Sequence, residues 1–350
     1  MTVRADIRDL FTFRDSPVRW PVAVQAALAM GLPVAIFAAL GQPQLGLMAS
    51  TGGFTALYLA GRSRRERARL LPLIAAGLLA SASLGVLSSG SLLASFACLF
   101  LLVVASAIVT LGFGVGPPGS LFFMLLAGVS IRLTAPKALG GDELSGVLVV
   151  GMIAVGCAIA YLLVLVPLAI PSVRKRDTAL HSERIRMRFR FDEDTRVIVF
   201  RVTLASAVAI LVAAPLGVHR VYWVLLTVIA ILQNGRRLRL TALRGIHRVL
   251  GTLVGVGLFA LVLLAHPEGL LLALLLAVLQ FIVELVVIRN YGLALVFITP
   301  LALIIAAQGQ PADVGGVVVT RLLDTLLGAG IAMAVLLVAL VVRYPRRPAS

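Results

Sequence analysis

Apolar runs long enough to cross a membrane recur along this chain of 350 residues, and no other feature limits its fold so tightly. About 20 apolar residues in a helix span the roughly 30 Å of bilayer hydrocarbon. Composition says the same: 60% of the residues are hydrophobic, 13% are charged, and the mean hydropathy is +1.06. Bilayer is therefore the main solvent, and the expected fold class is an all-α polytopic membrane protein.

The clearest unit is 220–257. There an apolar run (Val221–Leu232) leads into Arg236, Arg237, Arg239, Arg244 and Arg248, and a second apolar run follows. This reads as a membrane hairpin with its turn on the positively charged side. Residues 45–85 repeat the design around Arg62, Arg64, Arg65, Arg67 and Arg69. Aligning Arg69 with Arg248 sets a repeat of about half the chain. Twelve spans follow: 20–40, 43–60, 70–88, 91–113, 118–134 and 144–170, then 197–216, 220–234, 246–265, 267–288, 290–308 and 317–342. Because the first six are an even number, both halves enter the membrane from one side. The repeat is then parallel, about an axis along the membrane normal.

The expected domains are a cytoplasmic N-terminal segment (1–19), a first six-helix repeat (20–170), a charged linker (171–196), a second repeat (197–342) and a tail (343–350). Arginine-rich loops put both termini in the cytoplasm. Segment 1–19 has apolar positions that suit an interfacial helix as well as a frayed end. The linker is expected to be short and helical.

Loop bias also accounts for the net charge of +16. No basic segment forms a nucleic-acid reading module, so nucleic acid is not an expected partner. Cys98 and Cys157 lie in apolar runs and read as small packing residues. The sequence has no HExxH, no paired-carboxylate motif and no Gly-rich phosphate loop ending in lysine. The expectation is no enzyme, no cofactor, no metal and no ATP hydrolysis in this chain. Active transport would draw on an ion gradient or a partner.

Ionisable groups inside a span are costly and mark substrate or ion pathways by default. Arg321 and Asp324, three apart on the last span, share a face. Matching Gly156 with Gly328 puts Val149 and Met152 at the corresponding first-half positions, so the pair occurs in one half only. It reads either as a site where Arg321 attracts a substrate carboxylate and Asp324 sets its availability, or as an internal ion pair. Glu284 shares a face with Gln280 and reads as a proton site or as the partner of Arg201. Arg132 either draws anions inward or snorkels to the outer interface. Thr227, Gln233 and Thr252 can hydrogen-bond a carboxylate or a neighbouring helix, and Gly251 and Gly255 flank Thr252 in a close-approach motif. Arg248 either attracts anions at the cytoplasmic mouth or orients the span. Pro33 and Pro300 fall mid-span, where a kink is permitted.

At YWVLLTVIAILQ (222–233), RGIHRVLGTLVGVG (244–257) and TRLLDTLLGAGIAM (320–333) the sequence resembles the fusaric-acid-resistance family. That family includes bacterial aromatic acid exporters and is distantly similar to the plant aluminium-activated malate transporters. The order of Trp223, Thr227, Gln233, Arg248, Gly251, Thr252, Gly255, Arg321, Asp324 and Gly328 carries the resemblance over 201–340. Over 20–133 it rests on the repeat. The resemblance implies a multi-pass bacterial inner-membrane protein that exports organic, often aromatic, carboxylates between two facing six-helix units. Membrane lipids, a small organic anion and either a second copy or an accessory protein are the implied partners. An anion channel between the units, or a scaffold docking a partner through 171–196, are the alternatives. The chain lacks the long soluble insertion that separates the halves of the larger exporters.

Overall fold

The computed structural model describes residue 13 and residues 19–179, 188–235, 237–307 and 314–343. The interfacial helix expected within 1–19, the middle of the linker and the tail beyond 343 lie outside these, apart from Phe13 and Arg19.

Regular structure among the described residues is helical throughout. The first half supplies α1 (Trp20–Ala39), α2 (Pro43–Gly52), α3 (Arg64–Ser88), α4 (Leu92–Gly112), α5 (Leu121–Thr134) and α6 (Gly146–Leu165). The linker contributes α7 (Pro171–Ala179). The second half supplies α8 (Glu193–Ala213), α9 (Val218–Leu232), α10 (Leu238–Leu264), α11 (Gly269–Val286), α12 (Tyr291–Ala307) and α13 (Val314–Arg343). Starts follow local chemistry. Proline opens α1 and α2, where its missing N–H costs nothing. At other starts a side chain caps the helix by accepting an otherwise orphaned backbone N–H. Ser63 Oγ accepts the Glu66 N–H at 3.3 Å, and Asp192 Oδ1 accepts the Thr195 N–H at 2.8 Å. Pro33 and Pro300 lie within α1 and α12, each assigned as one helix.

Among the described residues, eight helices are long and apolar enough to cross a membrane: α1, α3, α4, α6, α8, α10, α11 and α13. Helices α5, α9 and α12 are apolar but shorter, and α2 has 10 residues before a 3-10 turn at Gly53–Leu57. The second element of each half, α2 and α9, is the innermost. Every residue from Val221 to Leu232 is buried, and so is every residue from Leu47 to Ala56. A helix that is apolar on all faces belongs inside. Shielded by its neighbours, it need not match the bilayer in length.

Helix α1 packs on α2 and α6, α2 on α6, α3 on α5 and α6, and α4 on α5. In the second half α8 packs on α9 and α13, α9 on α13, α10 on α12 and α13, and α11 on α12. Across the halves, α1 meets α11, α4 meets α8, α5 meets α9, and α2 meets α12. Two glycines permit the tightest of these approaches. A methyl group on Gly156 of α6 would collide with the Ala49 carbonyl of α2. One on Gly328 of α13 would lie 2.8 Å from the Val224 carbonyl of α9 and 2.7 Å from Thr227 Cβ.

Candidate functional site

Helix α9 begins at Gly217, whose φ of +91° suits glycine, and runs beside α13. The i, i+3 spacing of Arg321 and Asp324 turns both towards α9. Asp324 is fully buried and Oδ1 accepts a 2.7 Å hydrogen bond from Nε of Arg220, at the start of α9. The Arg321 guanidinium carbon lies 3.8 Å over the Trp223 ring. That is a cation–π contact, in which the ring face attracts the positive charge. Nε and Nη1 of Arg321 and Oδ2 of Asp324 meet no hydrogen-bond partner among the described residues. The internal Arg321–Asp324 ion pair is therefore not formed: the carboxylate takes Arg220 and the guanidinium takes an indole. Arg220 is not among the sequence candidates, because at the head of the 220–234 span it reads as one more charged residue at a span end.

Arg321 also lies within electrostatic reach of Arg248, Tyr222, Asp324 and Tyr291. Arg248 Nη1 is 3.4 Å from the Tyr291 hydroxyl, and the Arg244 guanidinium sits 4.2 Å over the same ring. A string of guanidinium groups (Arg220, Arg321, Arg248, Arg244) thus follows α9, α13 and α10, with Asp324 as the counter-charge paired to Arg220.

This string borders the seam between halves. Gly128 of α5 lies against the Tyr222 ring of α9, and Tyr222 is in electrostatic reach of both Arg321 and Arg132. Arg132 is half-buried. It donates to the Ala306 carbonyl of α12 at 2.7 Å and lies 3.8 Å from Asp142. Beside Arg132 is a cleft of about 10 Å³, lined by Ser89 and Ser95. Such a space has room for about one water.

Two of the neutral candidates, Thr227 and Gln233, are hydrogen-bonded within the fold. Thr227 donates to the Trp223 carbonyl and packs on Gly328. Gln233 accepts from the Ser120 N–H and hydroxyl at 3.1 and 2.9 Å and donates to the Pro118 carbonyl, tying the end of α9 to the loop before α5. Gly251 and Gly255 bring α10 against Gly292 and Thr299 of α12, while Thr252 Oγ1, beside them, meets no partner among the described residues.

A second buried polar cluster occupies the opposite seam, α1 against α11. Gln280 donates to Glu284 at 3.3 Å. Arg67, turned inward from the start of α3, donates to Gln25 Oε1 of α1 at 3.2 Å and to the Ala56 carbonyl. Glu284 is in electrostatic reach of Arg19 and Arg67. The expected Glu284–Arg201 pair is corrected here: Arg201 donates to the Gly235 and Leu232 carbonyls at the end of α9. The two residues belong to different seams. Arg67 and Gln25 went unnoticed in the sequence, Arg67 because it reads as one more loop arginine.

Apolar helices with buried charge at their mutual contacts define a multi-pass helical membrane protein. Residues 206–335 match the family model described as fusaric acid resistance protein-like, a stretch that runs from within α8 to within α13 and includes the Arg220, Arg321 and Asp324 cluster. The chain is 34% identical over 155 residues to "Uncharacterized membrane protein YvaC" of Bacillus subtilis (strain 168). That alignment covers 43% of this chain and 25% of the Bacillus protein, so the chain aligns with about a quarter of that relative's length. No solved structure matches.

Proposed function

We propose that this chain is a bacterial inner-membrane carrier that exports organic, aromatic-type carboxylates between two six-helix repeats, driven by an ion gradient. The observation that carries this reading is Arg321: a buried cation on a membrane helix, stacked on Trp223, with N–H groups still unpartnered among the described residues. A guanidinium fork matches a carboxylate, and an indole beside it offers a face to an aromatic ring. Arg248 and Arg244 extend the favourable potential towards the arginine-rich loop, while Arg132 extends it across the seam. The two-repeat reading is supported by the packing, since each principal contact named within α1–α6 has a counterpart within α8–α13 seven helices later. Domains 1–19, 20–170, 171–196, 197–342 and 343–350, with both termini inside, follow from that reading and from the arginine loops.

The close packing around Arg321, which is 4% exposed, favours a carrier that opens alternately over a channel with a standing pore. Reconstitution into liposomes tests this. Saturable uptake of benzoate or a hydroxybenzoate that responds to a pH gradient is the expected result. Ohmic anion current would assign a channel, and no flux of any carboxylate would leave the scaffold reading.

A further inference from the structure

Polar ties between the two halves stand at both ends of α5. At its start, Gln233 reaches from the end of α9 to the loop that leads into α5. Its Oε1 accepts from the Ser120 N–H and hydroxyl, and its Nε2 donates to the Pro118 carbonyl at 2.8 Å. Glycine is required between them: a Cβ on Gly119 would meet Gln233 Oε1 at 2.8 Å, and the φ of +62° suits glycine. The Tyr58 hydroxyl braces the same loop by donating to the Gly119 carbonyl. At 1.5 Å per residue, Arg132 lies about 18 Å along α5 from Ser120. There Nη1 donates to the Ala306 carbonyl at the end of α12. Asp142, 3.8 Å from Nη2, is too far for a hydrogen bond. The loop after α5 folds back to hold Asp142, whose N–H donates to the Arg132 carbonyl while the Leu144 N–H donates to the Leu133 carbonyl. Between these ties α5 and α9 share an apolar core, with Met124, Ala127 and Ile131 beside Leu225, Leu226 and Ile229. Such a surface can slide as packed helices do, but the polar ties at its ends have to break first.

The two ties differ in chemistry. Gln233 makes neutral hydrogen bonds, to which a nearby charge matters little. Arg132 spends a full charge on a neutral carbonyl, and its bond to a carboxylate would be stronger. Tyr222 lies within electrostatic reach of both Arg132 and Arg321, which places the two guanidiniums around one side chain. We propose that Gln233 and Arg132 are latches at the two ends of this seam, and that a carboxylate arriving at Arg321 releases only the second, by drawing Arg132 off the Ala306 carbonyl. The loaded carrier then opens at the Arg132 end while the Gln233 end stays shut. This rests on the carrier reading given above and adds to it the order in which the seam opens.

Amide hydrogen exchange of the purified full chain in detergent reads both ends at once. Benzoate and a hydroxybenzoate are the probes, with chloride at equal ionic strength as the control. Either probe is expected to speed exchange at 133–144 and 303–307 about fivefold, the scale of one lost hydrogen bond, and to leave 119–122 and 229–235 unchanged. Gln233→Ala is expected to speed exchange at 119–122 and 229–235 with or without probe, and to keep the response at the other end. Arg132→Gln is expected to speed exchange at 133–144 without probe and to abolish the response, and Arg132→Lys to restore part of it. A merely structural tie would give faster exchange in the variants but no response to the probes. Equal acceleration at both ends, or by chloride as much as by carboxylate, overturns the proposal. No response in a chain that takes up either probe in liposomes overturns the latches and leaves the carrier reading standing. No response together with no uptake overturns both. Should Arg132→Gln fail to fold, the response of the unsubstituted chain still decides.

Discussion

Asp324 is the residue on which the buried cluster balances. It holds Arg220 by a 2.7 Å charge-assisted bond while contributing negative potential next to Arg321. Removing one member of a buried pair leaves the other uncompensated, at a cost of about 3–5 kcal/mol. The Arg220 side chain is 21% exposed and can regain some solvent. Asp324→Ala is therefore expected at the lower end of that range, about 3 kcal/mol. The double variant Arg220→Gln, Asp324→Asn should lose less than the sum of its singles, measured by thermal melting in detergent. Arg321→Gln should instead fold normally and reduce carboxylate uptake roughly 30-fold or more, the scale of a hydrogen bond to a charged group. Arg321→Lys should restore only part of that, because an ammonium neither forks to a carboxylate nor stacks on Trp223 in the same way. The sequence made it legible that Arg321 and Asp324 share a face, since i, i+3 spacing is local geometry. It left their partners hidden, because Arg220 and Trp223 are about a hundred residues away and hydropathy encodes depth, not lateral neighbours.

At the scale of elements, glycine and capping decide how helices start and meet. Gly156 and Gly328 hold corresponding contacts, α6 on α2 and α13 on α9. Gly156→Ala and Gly328→Ala are each expected to destabilise by about 1–3 kcal/mol, since an added methyl meets backbone that cannot step aside. Equal thermal stability of either variant and the parent would refute the tight approach. The start of α8 is expected to respond to pH. The Thr195 N–H hydrogen bond, helped by the Thr195 side chain, holds the Asp192 carboxyl below the usual range. A lowered folded value means the cap stabilises above an unfolded value of about 3.9 and fades as pH falls through the folded value. Amide exchange at 193–196 should therefore be slower at pH 7 than at pH 3 relative to its intrinsic rate. Asp192→Ala should erase that difference. Element positions were legible because lipid demands long apolar runs and arginine marks their ends. The brevity of α2, α5, α9 and α12 was not fully legible, since a span shielded by other helices carries no length requirement that hydropathy can register.

The whole molecule has two unlike seams, and that asymmetry bears on how transport would be driven. Where α5 meets α9, Arg132 and Tyr222 stand beside the guanidinium string. Where α1 meets α11, the buried acid Glu284 lies near Arg67, which is bonded to Gln25. On the proposed two-repeat reading, rocking about the repeat axis would change both seams together, so protonation at one would bias the packing at the other. Glu284→Gln keeps the shape and the Gln280 contact but fixes the neutral form. If Glu284 is the coupling site, this variant should still exchange labelled carboxylate for unlabelled across liposomes. It should lose roughly tenfold or more of the accumulation driven by a pH gradient, the scale of an ordinary coupling energy between two sites. Arg321→Gln should lose exchange and accumulation alike, because anion binding itself is removed. Retained gradient-driven accumulation in Glu284→Gln would place coupling elsewhere. Loss of exchange as well would mean that Glu284 holds the seam together instead of titrating across it. These outcomes separate a motor at one seam from a binding site at the other, which no single variant of the Arg321 cluster can do.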